Sequence, residues 1–200
     1  MKKLLTIMLS GVMLLGLTAC GNSGTTNKQA AAAPQTKTVA KTGKTLVVYY
    51  SASGNTKNVA NTIAGATKAD TFEVIPAEKY SDADLNYNDS NSRVSKEHNS
   101  KERNIKLAST SAPNWKDYDT VFIGYPIWWG VAAWPVDTFV KANDFSGKTV
   151  IPFATAASSG FGESGKLLQA MSKNGKWVEG KCFHGNNTNE IQSWVKSLGF

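Results

Sequence analysis

The chain has 200 residues and a formal net charge of +7, with 22 Lys and Arg against 15 Asp and Glu. The basic residues are scattered among carboxylates and form no stripe with interleaved aromatics, which argues against nucleic-acid binding. Its two cysteines and two histidines form no group with the spacing of metal ligands, so we expect no metal site.

The N-terminus has the pattern of an export signal. Lys2 and Lys3 precede an apolar stretch over residues 4–17, which is shorter than the roughly 20 residues that span a bilayer. The stretch ends in Leu17-Thr18-Ala19-Cys20, which resembles a bacterial lipobox. That resemblance implies cleavage before Cys20 and lipidation of this cysteine. The alternative is a plain signal peptide with an incidental cysteine.

The segment after Cys20 is small and polar, without a large apolar cluster, and such a segment predicts a flexible tether. We therefore expect a signal peptide over residues 1–19, a tether over 20–43 and one domain over 44–200. This organisation predicts a protein outside the cytoplasm, anchored by lipid to a bacterial membrane.

Strands and helices alternate along the predicted domain. The last helix has an amphipathic pattern, and Asn187 with Glu190 could form a capping box at its start. Such alternation predicts an α/β fold with a parallel sheet covered on both faces by helices. The predicted strands are Thr45–Tyr50, Thr71–Pro76, Tyr118–Tyr125, Thr149–Ala154 and a short strand near Lys181–His184. Four helices are predicted from apolar residues at helical spacing. The first has Val59, Ala60, Ile63 and Ala64, the second has Pro135 at its first position with Val136, Phe139 and Val140, the third has Leu167, Leu168 and Met171, and the last has Ile191, Trp194, Val195 and Leu198.

A hydroxyl-rich turn, Ser51-Ala52-Ser53-Gly54-Asn55-Thr56, joins the first strand to the first helix. Free N–H groups and the positive end of the helix dipole favour a phosphate at such a position. The turn has neither the lysine of a P-loop nor the three glycines of the dinucleotide fingerprint, and it suits a terminal monophosphate. The alternative is an ordinary turn in which Ser53 or Thr56 caps the helix.

Two further loops follow the central strands, where ligands bind in open α/β sheets. The first, Gly124–Gly130, carries two adjacent tryptophans at a point where we expect a loop to meet solvent. A planar ring needs an aromatic or apolar wall of this kind. The second, Thr155–Gly162, offers the hydroxyls of Thr155, Ser158 and Ser159.

Together these loops resemble those of flavodoxins, which bind flavin mononucleotide (FMN). The resemblance covers nearly all of residues 44–200 and implies a three-layer, doubly wound, five-stranded parallel sheet. Ala156 and Ala157 stand where related proteins carry more glycine. The FMN-binding residues implied by the resemblance are Ser51, Ser53, Gly54, Asn55, Thr56, Pro126, Ile127, Trp128, Trp129, Gly130, Thr155, Ala156, Ser158 and Ser159.

The resemblance implies a membrane-tethered FMN oxidoreductase in which the flavin carries the chemistry and no side chain acts as a catalytic acid or base. Its electron partners would be a quinone, NAD(P)H or a redox protein. A non-enzymatic electron carrier is the first alternative, although such carriers are typically acidic and this chain is basic. A flavin-free binding module is the second alternative.

The polar segment over residues 80–110 allows two interpretations. A similar segment in the same branch of the family implies that Tyr87 and Arg93 border a substrate pocket. The simpler interpretation is a solvated insertion in which Arg93 pairs with Glu97 one helical turn further on.

Overall fold

The computed structural model describes residues 43–101, 103–172 and 174–200. The predicted signal peptide, Cys20 and residues 20–42 of the predicted tether lie outside the described residues. Within the described part of the chain, no helix is long and apolar enough to cross a membrane. In chain order the elements are β1 (Lys44–Tyr49), α1 (Asn55–Thr67), β2 (Asp70–Glu73), α2 (Arg93–Ser100), a 3-10 helix (Trp115–Asp117), β3 (Tyr118–Trp128), β4 (Val131–Ala132), α3 (Trp134–Ala142), β5 (Thr149–Thr155), α4 (Ser164–Ser172), β6 (Lys176–Trp177), β7 (Lys181–Phe183) and α5 (Thr188–Ser197).

The core of the domain is a parallel sheet with strand order β2-β1-β3-β5-β6. Strand β7 also pairs in parallel with β5, and the short strand β4 pairs antiparallel with the end of β3. The predicted α/β fold with a doubly wound parallel sheet is therefore confirmed. The fifth position of the sheet is shared by two short strands, β6 and β7, both of which pair with β5.

The break between β6 and β7 lies opposite Pro152 of β5. Strand β6 pairs with Thr149 and Val150, whereas β7 pairs with Phe153 to Thr155. Pro152 has no N–H to donate to a neighbouring strand. A Cβ on Gly180, in the break, would lie 2.2 Å from the Pro152 carbonyl oxygen, so the chain passes too close to β5 for a side chain.

Helices cover both faces of the sheet, because side chains of a strand alternate between its faces. Val47 and Tyr49 of β1 belong to the apolar cluster that includes residues of α1 and α5. Leu46 and Val48 belong to the cluster that includes residues of α3 and α4. The three-layer architecture follows from burial of continuous apolar strands on both faces.

Several details of the sequence-based prediction need correction. Strand β3 runs three residues beyond the predicted end at Tyr125, because its end pairs with β4 in a hairpin. Leu167 of α4 is 43 % exposed, so it does not belong to the inner face that Leu168 forms. Pro135 is the second residue of α3, after Trp134. Strands β4 and β6 are too short for a periodic pattern to predict them.

The segment between β2 and β3 leaves the sheet and returns to the same edge. The N–H of Ala77 donates to the carbonyl of Lys106 at 2.8 Å, and the N–H of Ala108 donates to the carbonyl of Ile75 at 2.8 Å. These two hydrogen bonds hold together the two ends of this β2–β3 segment, which contains α2. Ser92 caps α2, since its side chain accepts a hydrogen bond from the N–H of Ser95.

The contact between Gly124 and Phe153 gives a test of packing in the sheet. A Cβ on Gly124 would lie 2.1 Å from the buried ring of Phe153 on the neighbouring strand. We expect Gly124→Ala to lower the free energy of unfolding by about 1–3 kcal/mol, because an overpacked core must shift. Urea denaturation followed by circular dichroism measures this change.

Gly65→Ala is the matched control, because Gly65 is exposed in α1 and a Cβ there meets nothing within 4 Å. This substitution should raise the stability by about 0.5–1 kcal/mol through the higher helix propensity of alanine. Equal stability of Gly124→Ala and the wild type would contradict the packing argument.

Candidate functional site

The loop after β1, residues 51–56, brings two backbone donors to one point. Ser51 Oγ accepts hydrogen bonds from the N–H of Gly54 at 3.1 Å and from the N–H of Lys57 at 3.2 Å. Gly54 is the N-cap of α1 with φ of +89°, a conformation that favours glycine. The first N–H groups of an α-helix have no hydrogen-bond partner within the helix. The β1 loop therefore offers converging donors to an oxygen acceptor, which fits a phosphate.

The polar side chains of the β1 loop include an exposed pair and a buried threonine. Ser53 and Asn55 are exposed, and Asn55 Nδ2 donates to Ser53 Oγ at 3.1 Å. Thr56 is buried, and its hydroxyl lies 2.8 Å from the hydroxyl of Thr155 at the end of β5. Neither Ser53 nor Thr56 caps α1, as the alternative interpretation of this turn requires, and the Ser51 hydroxyl accepts the hydrogen bonds there instead.

The two tryptophans lie in a tight hairpin between β3 and β4, which we call the Trp hairpin (residues 126–132). Ile127 pairs with Ala132 and Trp128 pairs with Val131, so Trp129 and Gly130 form a two-residue turn. Both turn residues have positive φ, +45° and +79°, as in a type I′ turn. Positive φ is unusual for a bulky side chain. The turn leaves Trp129 43 % exposed.

Trp128 lies in strand β3 and packs among other aromatic rings. Its ring centroid is 5.6 Å from that of Tyr50, 5.4 Å from that of Tyr80 and 5.4 Å from that of Trp134, each in an edge-to-face arrangement. Edge-to-face packing is favourable beyond the area that it buries. Trp128 is therefore held as a half-buried ring, whereas the Trp129 ring stacks on His98 at a centroid distance of 4.4 Å and is otherwise partly exposed.

A hydrogen-bond network in the β2–β3 segment holds Tyr80, one of the rings that pack against Trp128. The hydroxyl of Tyr80 donates to Glu97 at 2.6 Å, and Arg93 Nε donates to the same carboxylate at 2.8 Å. Burial and the Glu97 carboxylate raise the pKa of Tyr80. The predicted Arg93–Glu97 pair is thus present. Arg93 also lines a cleft with Glu78 and Lys106, but Tyr87 is 71 % exposed and does not line it.

The β5 loop, residues 155–163, is fixed from both sides. The N–H of Ala156 donates to the carbonyl of Phe183 at 3.1 Å, and Cys182 Sγ lies 3.7 Å from the carbonyl oxygen of Ser159. A Cβ on Gly162 would lie 3.5 Å from the carbonyl oxygen of Gly130 in the Trp hairpin. The loop therefore passes close to the hairpin, while Ser158 and Ser159 stay exposed.

The structure thus brings the three predicted loops to one edge of the sheet, at the carboxyl ends of β1, β3 and β5. The Thr56–Thr155 bond links the β1 loop to β5, and the Gly130–Gly162 approach links the Trp hairpin to the β5 loop. Pro126 pairs with Thr155 in the sheet. These contacts close the edge around the position where strand order reverses, between β1 and β3.

The sequence did not predict the cleft of about 280 Å³ that lies beside the β1 loop. It is lined by Tyr50, Ser51, Ala52, Lys57, Glu73, Val74, Ile75, Pro76, Lys79 and Tyr80. Lys57 Nζ forms an ion pair with Glu73 at 3.1 Å across it. Only long-range packing brings these residues together, so no local pattern could have identified them.

A buried carboxyl group, Asp137 in the first turn of α3, was also missed. It is 4 % exposed, and burial raises its pKa to about 6, although the charges of Lys141 and Arg103 oppose this shift. An acidic residue at the fourth position of an amphipathic helix gives no sequence signal that its side chain is buried.

The sequence profile of the flavodoxin family matches residues 44–198 of this chain. A candidate flavoprotein from Bacteroides uniformis has a crystal structure with 40 % sequence identity and a TM-score of 0.72, covering 78 % of this chain and 99 % of that protein. A candidate flavoprotein from Bacteroides eggerthii has 35 % identity and a TM-score of 0.72, covering 80 % of this chain and 99 % of its own.

A flavoprotein from Lactobacillus acidophilus, whose crystal structure is a complex with FMN, shares the fold at 22 % identity and a TM-score of 0.59. The match covers 76 % of this chain and 99 % of that protein. Among curated proteins, no sequence matches this chain.

The raised pKa of Asp137 predicts a dependence of stability on pH. An unfolded aspartate has a pKa of about 3.9, so the folded chain holds this proton more tightly than the unfolded chain does. Relative to an Asp137→Asn variant, wild-type stability should fall as pH rises through about 4 to 6, by about 3 kcal/mol in all. Below about pH 4 both states are protonated and the penalty is absent.

Urea denaturation of wild type and Asp137→Asn at pH 4.5 and 7.5 measures about 2 kcal/mol of this difference, because the unfolded carboxyl is already mostly ionised at pH 4.5. Asp82→Asn, which changes an exposed aspartate, should keep the wild-type dependence on pH. Parallel pH profiles for the wild type and Asp137→Asn would show that the Asp137 carboxyl ionises as freely in the folded chain as in the unfolded one.

Proposed function

The chain belongs to the flavodoxin family, and we propose that it binds FMN at the edge of the sheet where the β1 loop, the Trp hairpin and the β5 loop meet. The observation that carries this proposal is the convergence of the Gly54 and Lys57 N–H groups on one acceptor at the start of α1. A phosphate oxygen can take the place that Ser51 Oγ occupies. The related Lactobacillus acidophilus flavoprotein was solved in complex with FMN, which supports the same ligand here.

Different residues of the site suit the phosphate, the flat ring and the polar edge of FMN. The exposed side chains of Ser53 and Asn55 add donors for the phosphate. The exposed ring of Trp129 provides a flat wall for the flavin ring, and the hydroxyls of Ser158 and Ser159 are available to its polar edge. Trp128, which is packed among Tyr50, Tyr80 and Trp134, would fix the hairpin and contact the ring only at its margin.

We further propose that the chain is an oxidoreductase. When bound, FMN supplies reversible transfer of electrons or hydride, and the protein supplies binding, orientation and electrostatic tuning. The electron partners are a quinone, NAD(P)H or a redox protein. The buried hydroxyl pair of Thr56 and Thr155 holds the β1 loop against β5 and so keeps the phosphate donors in a fixed position relative to the β5 loop.

Binding of FMN and riboflavin by the full-length chain, purified in detergent, tests the placement of the phosphate. Ser53→Ala combined with Asn55→Ala should weaken FMN about tenfold, because charge-assisted hydrogen bonds to the phosphate are lost. Riboflavin lacks the phosphate, so its affinity should be unchanged. Quenching of flavin fluorescence measures both constants.

Ser158→Ala is the matched control, because it removes an exposed hydroxyl from the β5 loop, which lies toward the ring and away from the phosphate. It should affect FMN and riboflavin equally. Equal losses of both ligands in the Ser53→Ala, Asn55→Ala variant would place the phosphate elsewhere. Absence of any flavin binding would favour the flavin-free binding module.

Turnover assays with the FMN-loaded chain distinguish an enzyme from an electron carrier. Repeated oxidation of NAD(P)H or of a quinol with a small quinone as acceptor supports the enzyme. Transfer of a single equivalent of electrons, without turnover, supports the carrier.

We propose that the protein is lipid-anchored outside the cytoplasm, and the sequence Leu17-Thr18-Ala19-Cys20 after an apolar stretch supports this. Replacement of Cys20 by serine should move the protein from the membrane fraction to the soluble extracytoplasmic fraction, because the acylation site is lost. Cell fractionation with immunoblotting measures the distribution. Unchanged membrane association of Cys20→Ser would contradict a lipid anchor at this residue.

A further inference from the structure

An ion pair between Lys57 and Glu73 lies directly beside the donors of the β1 loop. Lys57 Nζ lies 3.1 Å from Glu73 Oε2, and the main-chain N–H of the same lysine donates to Ser51 Oγ at 3.2 Å. Ser51, Lys57 and Glu73 all line the cleft of about 280 Å³ beside this loop. Lys57 therefore carries both a main-chain donor for the proposed phosphate and a cation that is paired with a carboxylate.

The sheet and a second side chain hold Glu73 in place. Glu73 is the last residue of β2 and pairs with Tyr49, the last residue of β1. The Tyr49 hydroxyl donates to Glu73 Oε2 at 3.2 Å, the same oxygen that accepts from Lys57. Burial and the Glu73 carboxylate raise the pKa of Tyr49 to about 12, so the phenol stays protonated and remains a donor at neutral pH. The carboxylate is thus fixed beside the start of α1.

The side chain of Lys57 has more freedom than its partner. It is 49 % exposed, whereas the side chain of Glu73 is 33 % exposed. Lys57 is the third residue of α1, and side chains of an α-helix lean toward its N-terminus. The ammonium group of a lysine sits on a long flexible stem. It can therefore turn from Glu73 toward the N–H groups of Gly54 and Lys57, where we place the phosphate.

Charge decides which of the two anions the lysine favours. Water screens an ion pair that is exposed to this degree, so the pair is weak and readily broken. A phosphate monoester carries about −1.5 to −2 charges at pH 7, whereas a carboxylate carries a single charge. A lysine within reach of both groups is therefore attracted more strongly to the phosphate.

We propose that Lys57 exchanges Glu73 for the phosphate when FMN binds, and that Glu73 lowers the affinity for FMN by competing for this lysine. The inference rests on the proposed function, because it requires the FMN phosphate to lie at the start of α1. Glu73 acts through Lys57, so it is a positioning residue. Together the two residues set how strongly the site distinguishes FMN from riboflavin, which lacks the phosphate.

Affinities of the full-length chain in detergent for FMN and riboflavin test the exchange. Glu73→Gln keeps an acceptor for Tyr49 but removes the charge, so it should bind FMN about fivefold more tightly than the wild type does. Lys57→Gln should bind FMN about tenfold more weakly, because a charge-assisted hydrogen bond is lost. Riboflavin should bind both variants as it binds the wild type. Quenching of flavin fluorescence measures the constants.

The double variant separates exchange from simple repulsion between Glu73 and the phosphate. In the Lys57→Gln background, Glu73→Gln should change the affinity for FMN by less than about twofold, because no cation is left to release. A gain of about fivefold in both backgrounds would show that Glu73 repels the phosphate directly, and would overturn the proposal.

Asp117→Asn is the matched control. Lys44 Nζ lies 3.8 Å from Asp117 Oδ2, and Lys44 begins β1 at the end of the strand away from the β1 loop. The substitution makes the same change of net charge and should leave both affinities at the wild-type values. A gain for FMN equal to that of Glu73→Gln would show that net charge, not Lys57, controls the affinity, and would overturn the proposal.

The same measurements distinguish failure of this inference from failure of the proposed function. Binding of FMN by the wild type, with unchanged affinity in Glu73→Gln and Lys57→Gln, would overturn the exchange and leave the FMN site in place. Absence of FMN binding by the wild type would overturn the proposed function and the exchange with it.

Discussion

The position of β1 between β2 and β3 is the constraint on which the site depends. The chain leaves β1 toward one edge of the sheet and later leaves β3 toward the other. The connections therefore diverge at the carboxyl ends of these two strands and leave a crevice there. The start of α1 faces this crevice, and the Thr56–Thr155 hydroxyl bond holds it against the end of β5. The sheet order creates the space, and one buried pair of hydroxyls joins the start of α1 to the end of β5.

Much of the fold could be predicted because its signals are local. The runs at β1, β3 and β5 are apolar on both faces, and a parallel strand buried on both faces requires that pattern. Asn187 caps α5 through its hydrogen bond from the Glu190 N–H, as the spacing of these residues predicts. The position of the β1 loop and of both later loops follows from the strand order, so all three lie at one edge as expected.

What could not be predicted depends on contacts between distant residues. The extension of β3 to Trp128 requires β4, a strand of two residues with no pattern of its own. Ser51 acts as the acceptor at the start of α1 because the left-handed Gly54 turns the chain back, whereas a capping rule places that role nearer the helix. His98 and Arg103 lie in a polar segment, and only the return of that segment to the sheet edge brings them to Trp129 and Trp134.

The two edge positions of the sheet determine whether copies of this chain can associate by pairing their strands. Strand β2, at one edge, has four residues, and the other edge consists of β6 and β7 with two and three residues. The break opposite Pro152 interrupts the second edge, so its free N–H and C=O groups never form a long row. Long, flat, unbroken edges template the addition of further strands, and interrupted ones do not. The same proline and glycine that divide the fifth strand thus protect the folded domain from growing into an intermolecular sheet.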